Sequence, residues 1–171
     1  MGDSATKTVL FIDDDPIVLM AYRTCLVQAG FHVEPARDGL EAMRQLALLT
    51  PDVIILDLML PKFNGVEIMG FIRGNPKLKN TPVIILSTHS IIDAEGEPML
   101  ETAHCRLIKE TCTPASMLET IQDALANARA ISISSGRQSR PSVNRNVKLP
   151  INWPDMTKGI ISNALAPSAT R

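Results

Sequence analysis

The chain is poor in aromatic side chains, with one Trp, one Tyr and four Phe, and it carries only three cysteines. Cys25, Cys105 and Cys112 form no Cys-x-x-Cys pair, and their number is odd. This argues against a disulfide framework or a structural zinc site, and reduced thiols predict a cytoplasmic location. No apolar run approaches the ~20 residues of a membrane span, so no membrane insertion is expected. The opening stretch MGDSATKTVLFIDDDP offers only VLFI before it turns acidic, unlike a secretory signal. No internal repeat is visible. An apolar content of 45% over 171 residues fits one globular domain with a real core, plus an appendage.

Charge divides the chain. Residues 1–130 hold 11 Lys and Arg against 17 Asp and Glu, net −6. Residues 131–171 hold six basic residues against Asp155 alone, net +5. An acidic folded domain over 1–130 and a basic, flexible tail over 131–171 are expected. ISISSGRQSRPSVNRNVKLP reads as a linker, and one short helix fits near 158–165. Trp153 and the Ile160–Leu165 stretch could dock on the domain or a partner. DNA binding is not expected: the tail lacks interleaved aromatics and is too short for a helix-turn-helix output domain.

Within the first 130 residues, short apolar runs alternate with amphipathic stretches. Thr8–Ile12, FHVEPA, DVIILD, TPVIILS and CRLIK read as strands. DVIILD and TPVIILS are apolar on both faces, as central parallel strands are. Helices are predicted from Pro16 to Gly30, from Gly39 to Leu49, over VEIMGFIR and over TPASMLETIQDALANARA. A further helix, disturbed by Gly96 and Pro98, is expected only from about Glu97 onward. This alternation predicts an α/β fold: a flavodoxin-like doubly wound (βα)5 domain with a central five-stranded parallel sheet, order 2-1-3-4-5.

Ligands in such folds sit beyond the carboxyl ends of the strands. Asp13 and Asp14 end the first strand, Asp57 the third, Ser87 and Thr88 the fourth, and Lys109 the fifth. Crowded carboxylates need a cation, and hard oxygen donors at a partly open site suit Mg²⁺. Asp57 is then a candidate nucleophile toward phosphorus, giving an aspartyl phosphate. Mg²⁺, Lys109 and a hydroxyl would neutralise the phosphoryl oxygens.

VLFIDDDP, LDLMLPKFNG, PVIILST and the lysine of CRLIK resemble the markers of bacterial response-regulator receiver domains, the output halves of two-component signalling. The resemblance covers about residues 6–130. The spacings agree: 43 residues from Asp14 to Asp57, 30 more to Ser87 and 22 more to Lys109. It implies that Asp57 accepts a phosphoryl group from the phosphohistidine of a sensor histidine kinase or phosphotransfer protein. Asp13 and Asp14 would hold Mg²⁺ with Asp57 and the Met59 backbone carbonyl. Ser87 would be the switch hydroxyl, Lys109 would pair with the phosphate, and Asp15 would serve only as a helix cap. Such a protein signals by contact with an unknown downstream protein. It is no enzyme beyond self-phosphorylation and autodephosphorylation. Many receivers dimerise, so a homodimer is also an expectation.

The sequence departs from that family around the last two strands. Glu110 stands where proline usually follows the lysine, Arg106 where Tyr or Phe is favoured, and Thr88 where Ala or Gly follows the hydroxyl. Without proline, a trans bond is expected after Lys109, which bears on where the lysine sits. These departures motivate an alternative, a degenerate receiver acting as a phosphorylation-independent interaction module. A haloacid-dehalogenase-like phosphotransferase would need a second acid two residues after Asp57, where Met59 stands. His89 reads as an exposed side chain, and most of the methionines as core filler.

Overall fold

The computed structural model describes residues 6–88 and 100–134. The order of elements is β1 (Thr8–Ile12), α1 (Pro16–Gln28), β2 (His32–Ala36), α2 (Gly39–Leu48), β3 (Val53–Leu56), α3 (Gly65–Gly74), β4 (Val83–Ser87), a 3₁₀ turn (Leu100–Thr102), β5 (Cys105–Ile108) and α4 (Pro114–Ser134). All neighbouring strands are parallel, in the order β2-β1-β3-β4-β5. This is the doubly wound sheet expected from the sequence.

Alternate residues of the central strands feed two separate cores, which is why those strands read as unbroken apolar runs. Leu10, Ile12, Ile54, Leu56, Val83 and Ile85 face α2 and α3, where Ala42, Met43, Leu46, Ile68, Met69 and Ile72 meet them. Val9, Phe11, Val53, Ile55, Ile84 and Leu86 face α1 and α4, against Leu19, Tyr22, Leu26, Met117, Ile121 and Ala124. Pro35 is tolerated because β2 is an edge strand, where a missing ladder donor does least harm.

Helix starts follow local chemistry. Asp15 caps α1 by accepting from the Ile17 and Val18 amides, with Pro16 in the first turn. Asn64 and Glu67 form a reciprocal capping box on α3. Thr113 and Ser116 exchange backbone and hydroxyl bonds at the start of α4. That helix runs to Ser134, four residues beyond the expected end. The expected helix from Glu97 lies mainly outside the described residues; its described end, Leu100–Thr102, is a single 3₁₀ turn. The first four residues of the expected linker, 131–134, belong to α4, and the rest of the linker, His89, Trp153 and the 158–165 stretch lie outside the described residues.

Arg73, at the end of α3, ties three segments together. Its guanidinium donates to the Lys79, Thr81 and Thr102 carbonyls and to the Thr102 hydroxyl. Burial lowers its pKa from the ordinary arginine value. These bonds join α3 to the entrances of both β4 and β5.

Gly65 is a close backbone approach behind the carboxyl edge. A Cβ there would lie 2.6 Å from the Leu58 Cα and 2.7 Å from the Asp57 carbonyl oxygen. Both neighbours are backbone and cannot rotate away. Gly65→Ala is expected to destabilise the fold by about 3 kcal/mol, read by urea denaturation. A midpoint equal to wild type would refute the close-approach argument.

Candidate functional site

The carboxyl edge of the sheet is built by strands that continue hydrogen bonding one residue past their last apolar side chain. Asp13 N–H donates to the Ala36 carbonyl, Asp57 N–H to the Ile12 carbonyl, and Lys109 N–H to the Ser87 carbonyl. The polar residues are therefore placed by the sheet itself rather than by free loops. Ser87 ends β4 opposite Ile108 of β5.

These residues converge. The Lys109 ammonium lies 2.6 Å from Asp57 Oδ2 and 2.8 Å from Asp13 Oδ2. Ser87 Oγ donates to Asp57 Oδ1 at 3.0 Å, and the Met59 amide donates to the same oxygen at 3.1 Å. Asp13 Oδ1 accepts from the Asp15 amide. Asp13 and Ser87 are fully buried, and Asp57 is 3% exposed. Asp14 is exposed, yet one carboxylate oxygen from each of Asp13, Asp14 and Asp57 lies within 4.8 Å of the others. Among the described residues this is the only cluster of three potential metal-ligating side chains.

Burial pushes the Asp13 carboxyl above its ordinary pKa, and the charge of Asp57 adds to the rise. Lys109 and the Asp15 amide oppose it without cancelling it. Burial alone would lower the Lys109 pKa, but its ion pairs with Asp13 and Asp57 outweigh that and raise it. Asp13 Oδ2 is buried and meets Lys109 at ion-pair distance, but no hydrogen bond is aimed at it. An oxygen-only donor set with one such under-used oxygen and one exposed carboxylate fits a hard divalent cation with waters completing its shell.

The loop after Lys109 is fixed from below. Tyr22 Oη donates to the Cys112 carbonyl at 2.8 Å, and its ring meets Phe11 at 5.7 Å. The described backbone contains no cis peptide, so Glu110 follows Lys109 in trans, and the ammonium still reaches Asp57. Arg106 pairs with Ile85 on the sheet and is half-buried, as is Thr88 at the end of β4. Asp15 is the helix cap that the sequence suggests. The Met59 side chain is 63% exposed and its amide faces Asp57; the role expected of its carbonyl remains a proposal. Sequence reading missed Asp38 and Lys62, whose side chains pair at 2.6 Å between the start of α2 and the β3–α3 connection. Their separation of 24 positions left no local signal.

A doubly wound sheet with this acid, hydroxyl and ammonium edge defines a receiver. The family model for the response regulator receiver domain matches residues 9–122, and the chain belongs to that family. The transcriptional regulatory protein KdpE of Mycobacterium tuberculosis is 43% identical over 82 residues, which are 48% of this chain and 35% of KdpE. The chain thus spans about a third of that relative. The chemotaxis response regulator CheY4 of Vibrio cholerae superposes with a TM-score of 0.65 at 30% identity, over 71% of this chain and 100% of CheY4. The response regulator TrrA of Thermotoga maritima, solved with Mg²⁺ and BeF, matches with a TM-score of 0.62 at 25% identity, over 70% of this chain and 100% of TrrA.

A raised carboxyl pKa means the fold holds the Asp13 proton more tightly than the unfolded chain does. The ionised form therefore costs stability, and the cost grows as pH rises from about the ordinary value of 3.8 through the folded pKa. Asp13→Asn removes it. In EDTA at pH 7 the variant is expected to melt above wild type, and the gap should close as pH falls toward 4. A lower melting temperature in EDTA would contradict this.

Proposed function

We propose that this receiver is a phosphorylation-dependent signalling module of two-component type, with Asp57 as the phosphoryl acceptor. The observation that carries this reading is the pairing of one buried carboxylate with Lys109 at 2.6 Å and Ser87 at 3.0 Å. A carboxylate oxygen of Asp57 attacks phosphorus, the donor's phosphohistidine P–N bond breaks, and the imidazole leaves. Lys109 then neutralises one phosphoryl oxygen, and the Ser87 hydroxyl turns from Asp57 to another. Asp13, Asp14, Asp57 and the Met59 carbonyl would hold Mg²⁺, which would supply positive charge for the incoming phosphoryl group.

The donor is a sensor histidine kinase or phosphotransfer protein, and the product signals through a downstream protein. The chemistry ends with hydrolysis of the module's own aspartyl phosphate. We place the protein in the cytoplasm. Two observations support this: Cys25, Cys105 and Cys112 are all free thiols, and no helix among the described residues is long and apolar enough to cross a membrane. We keep residues 131–171 as a basic extension outside the receiver. Arg106 at the usual aromatic position favours one second reading, an interaction module that works without phosphate.

Intact-mass measurement separates the two. With Mg²⁺ and acetyl phosphate, wild type is expected to gain one phosphoryl adduct, lost in Asp57→Asn and with EDTA. BeF₃⁻ is expected to perturb the wild-type spectra. No adduct, together with no response to BeF₃⁻, would establish the phosphate-independent module instead.

A further inference from the structure

The loop from Asp57 to Gly65 contains the one described non-glycine residue with positive φ, Lys62 at 73°. Phe63 N–H donates to the Pro61 carbonyl across it at 3.0 Å. A two-residue hydrogen bond around a positive-φ centre is the rare, strained hand of the three-residue turn. Such a conformation is strained and persists only when its surroundings impose it.

The surroundings are visible. Lys62 Nζ reaches Asp38 Oδ2 at 2.6 Å. Asp38 uses its other oxygen to cap α2 through the Glu41 amide at 2.8 Å. Burial would raise the Asp38 carboxyl, but Lys62 and the Glu41 amide hold it below its ordinary pKa. The Gly39 amide donates to the same Pro61 carbonyl at 3.1 Å. A Cβ at Gly39 would run into the Phe63 backbone carbonyl, so the two loops are in direct backbone contact there. Two residues before Pro61, the Met59 amide meets Asp57 Oδ1. The start of α2 thus grips the loop that carries the acceptor.

We propose that Asp38 and Lys62 are positioning residues for the acid site. Their ion pair holds the β3–α3 loop in its strained turn, and that turn presents the Met59 backbone to Asp57 and to the cation. This rests on the reading of the edge as a divalent-cation and phosphoryl site. The pair is partly exposed, with side chains 54% and 21% accessible, so its leverage is modest. A pair of this kind supports about a five-fold change in affinity.

The test is calorimetric titration of the full chain with Mg²⁺, beside thermal melting. Asp38→Asn keeps the α2 cap but sets an amide against the ammonium. It and Lys62→Met are expected to bind Mg²⁺ about five-fold more weakly. Lys62→Arg is expected to bind like wild type. Lys62→Gly relieves the backbone strain, so it should melt above Lys62→Met yet bind Mg²⁺ no better. That separation of stability from affinity is what a merely structural pair would not produce. Wild-type affinity in both Asp38→Asn and Lys62→Met overturns the proposal and leaves the site reading intact. No Mg²⁺ binding by wild type overturns both.

Discussion

Everything at the carboxyl edge depends on one ammonium group. Asp13 and Asp57 are two buried carboxylates on adjacent strands, an arrangement that repels itself in a low-dielectric setting. Lys109 sits between them, within 2.8 Å of each. It comes from a third strand, β5, and the Tyr22–Cys112 bond holds its loop against α1. The sheet order matters to function mainly because it brings those three strand ends together.

The same ion triad explains how the fold tolerates a site that works against its own stability. Asp13 has a raised pKa even with Lys109 beside it, so the balance of charge is left incomplete. The core supplies the compensation. Strands β1, β3 and β4 are buried on both faces, and the two apolar clusters lock the strand ends in register. A rigid sheet can hold unfavourable charges at fixed spacing where a loop would let them drift apart.

Much of this was legible in the sequence, for a physical reason. Strands buried on both faces appear as uninterrupted apolar runs, so the first polar residue after each run marks the sheet edge. Asp13, Asp57, Ser87 and Lys109 announce themselves this way. Caps such as Asp15 before Pro16 are local and equally readable. Asp38 and Lys62 were not readable, because their pairing spans 24 positions and depends on a positive φ at a lysine, where propensity would favour glycine or asparagine. Glu110 follows Lys109 in trans, as its residue type predicts. A proline rule concerns one peptide bond, whereas the placement of Lys109 depends on β5 pairing with Ser87 and on the Tyr22 anchor.

Tyr22 also gives the receiver an optical property. It is the only tyrosine in the chain, and the only tryptophan, Trp153, stands outside residues 9–122. The phenol is held by a carbonyl three residues after Lys109 and stacked obliquely on Phe11. With Trp153 replaced by Phe, the near-ultraviolet signal of the domain would come chiefly from this one ring. Movement of the Lys109 loop toward an incoming anion would then be written directly into tyrosine absorbance and emission, with no dye attached.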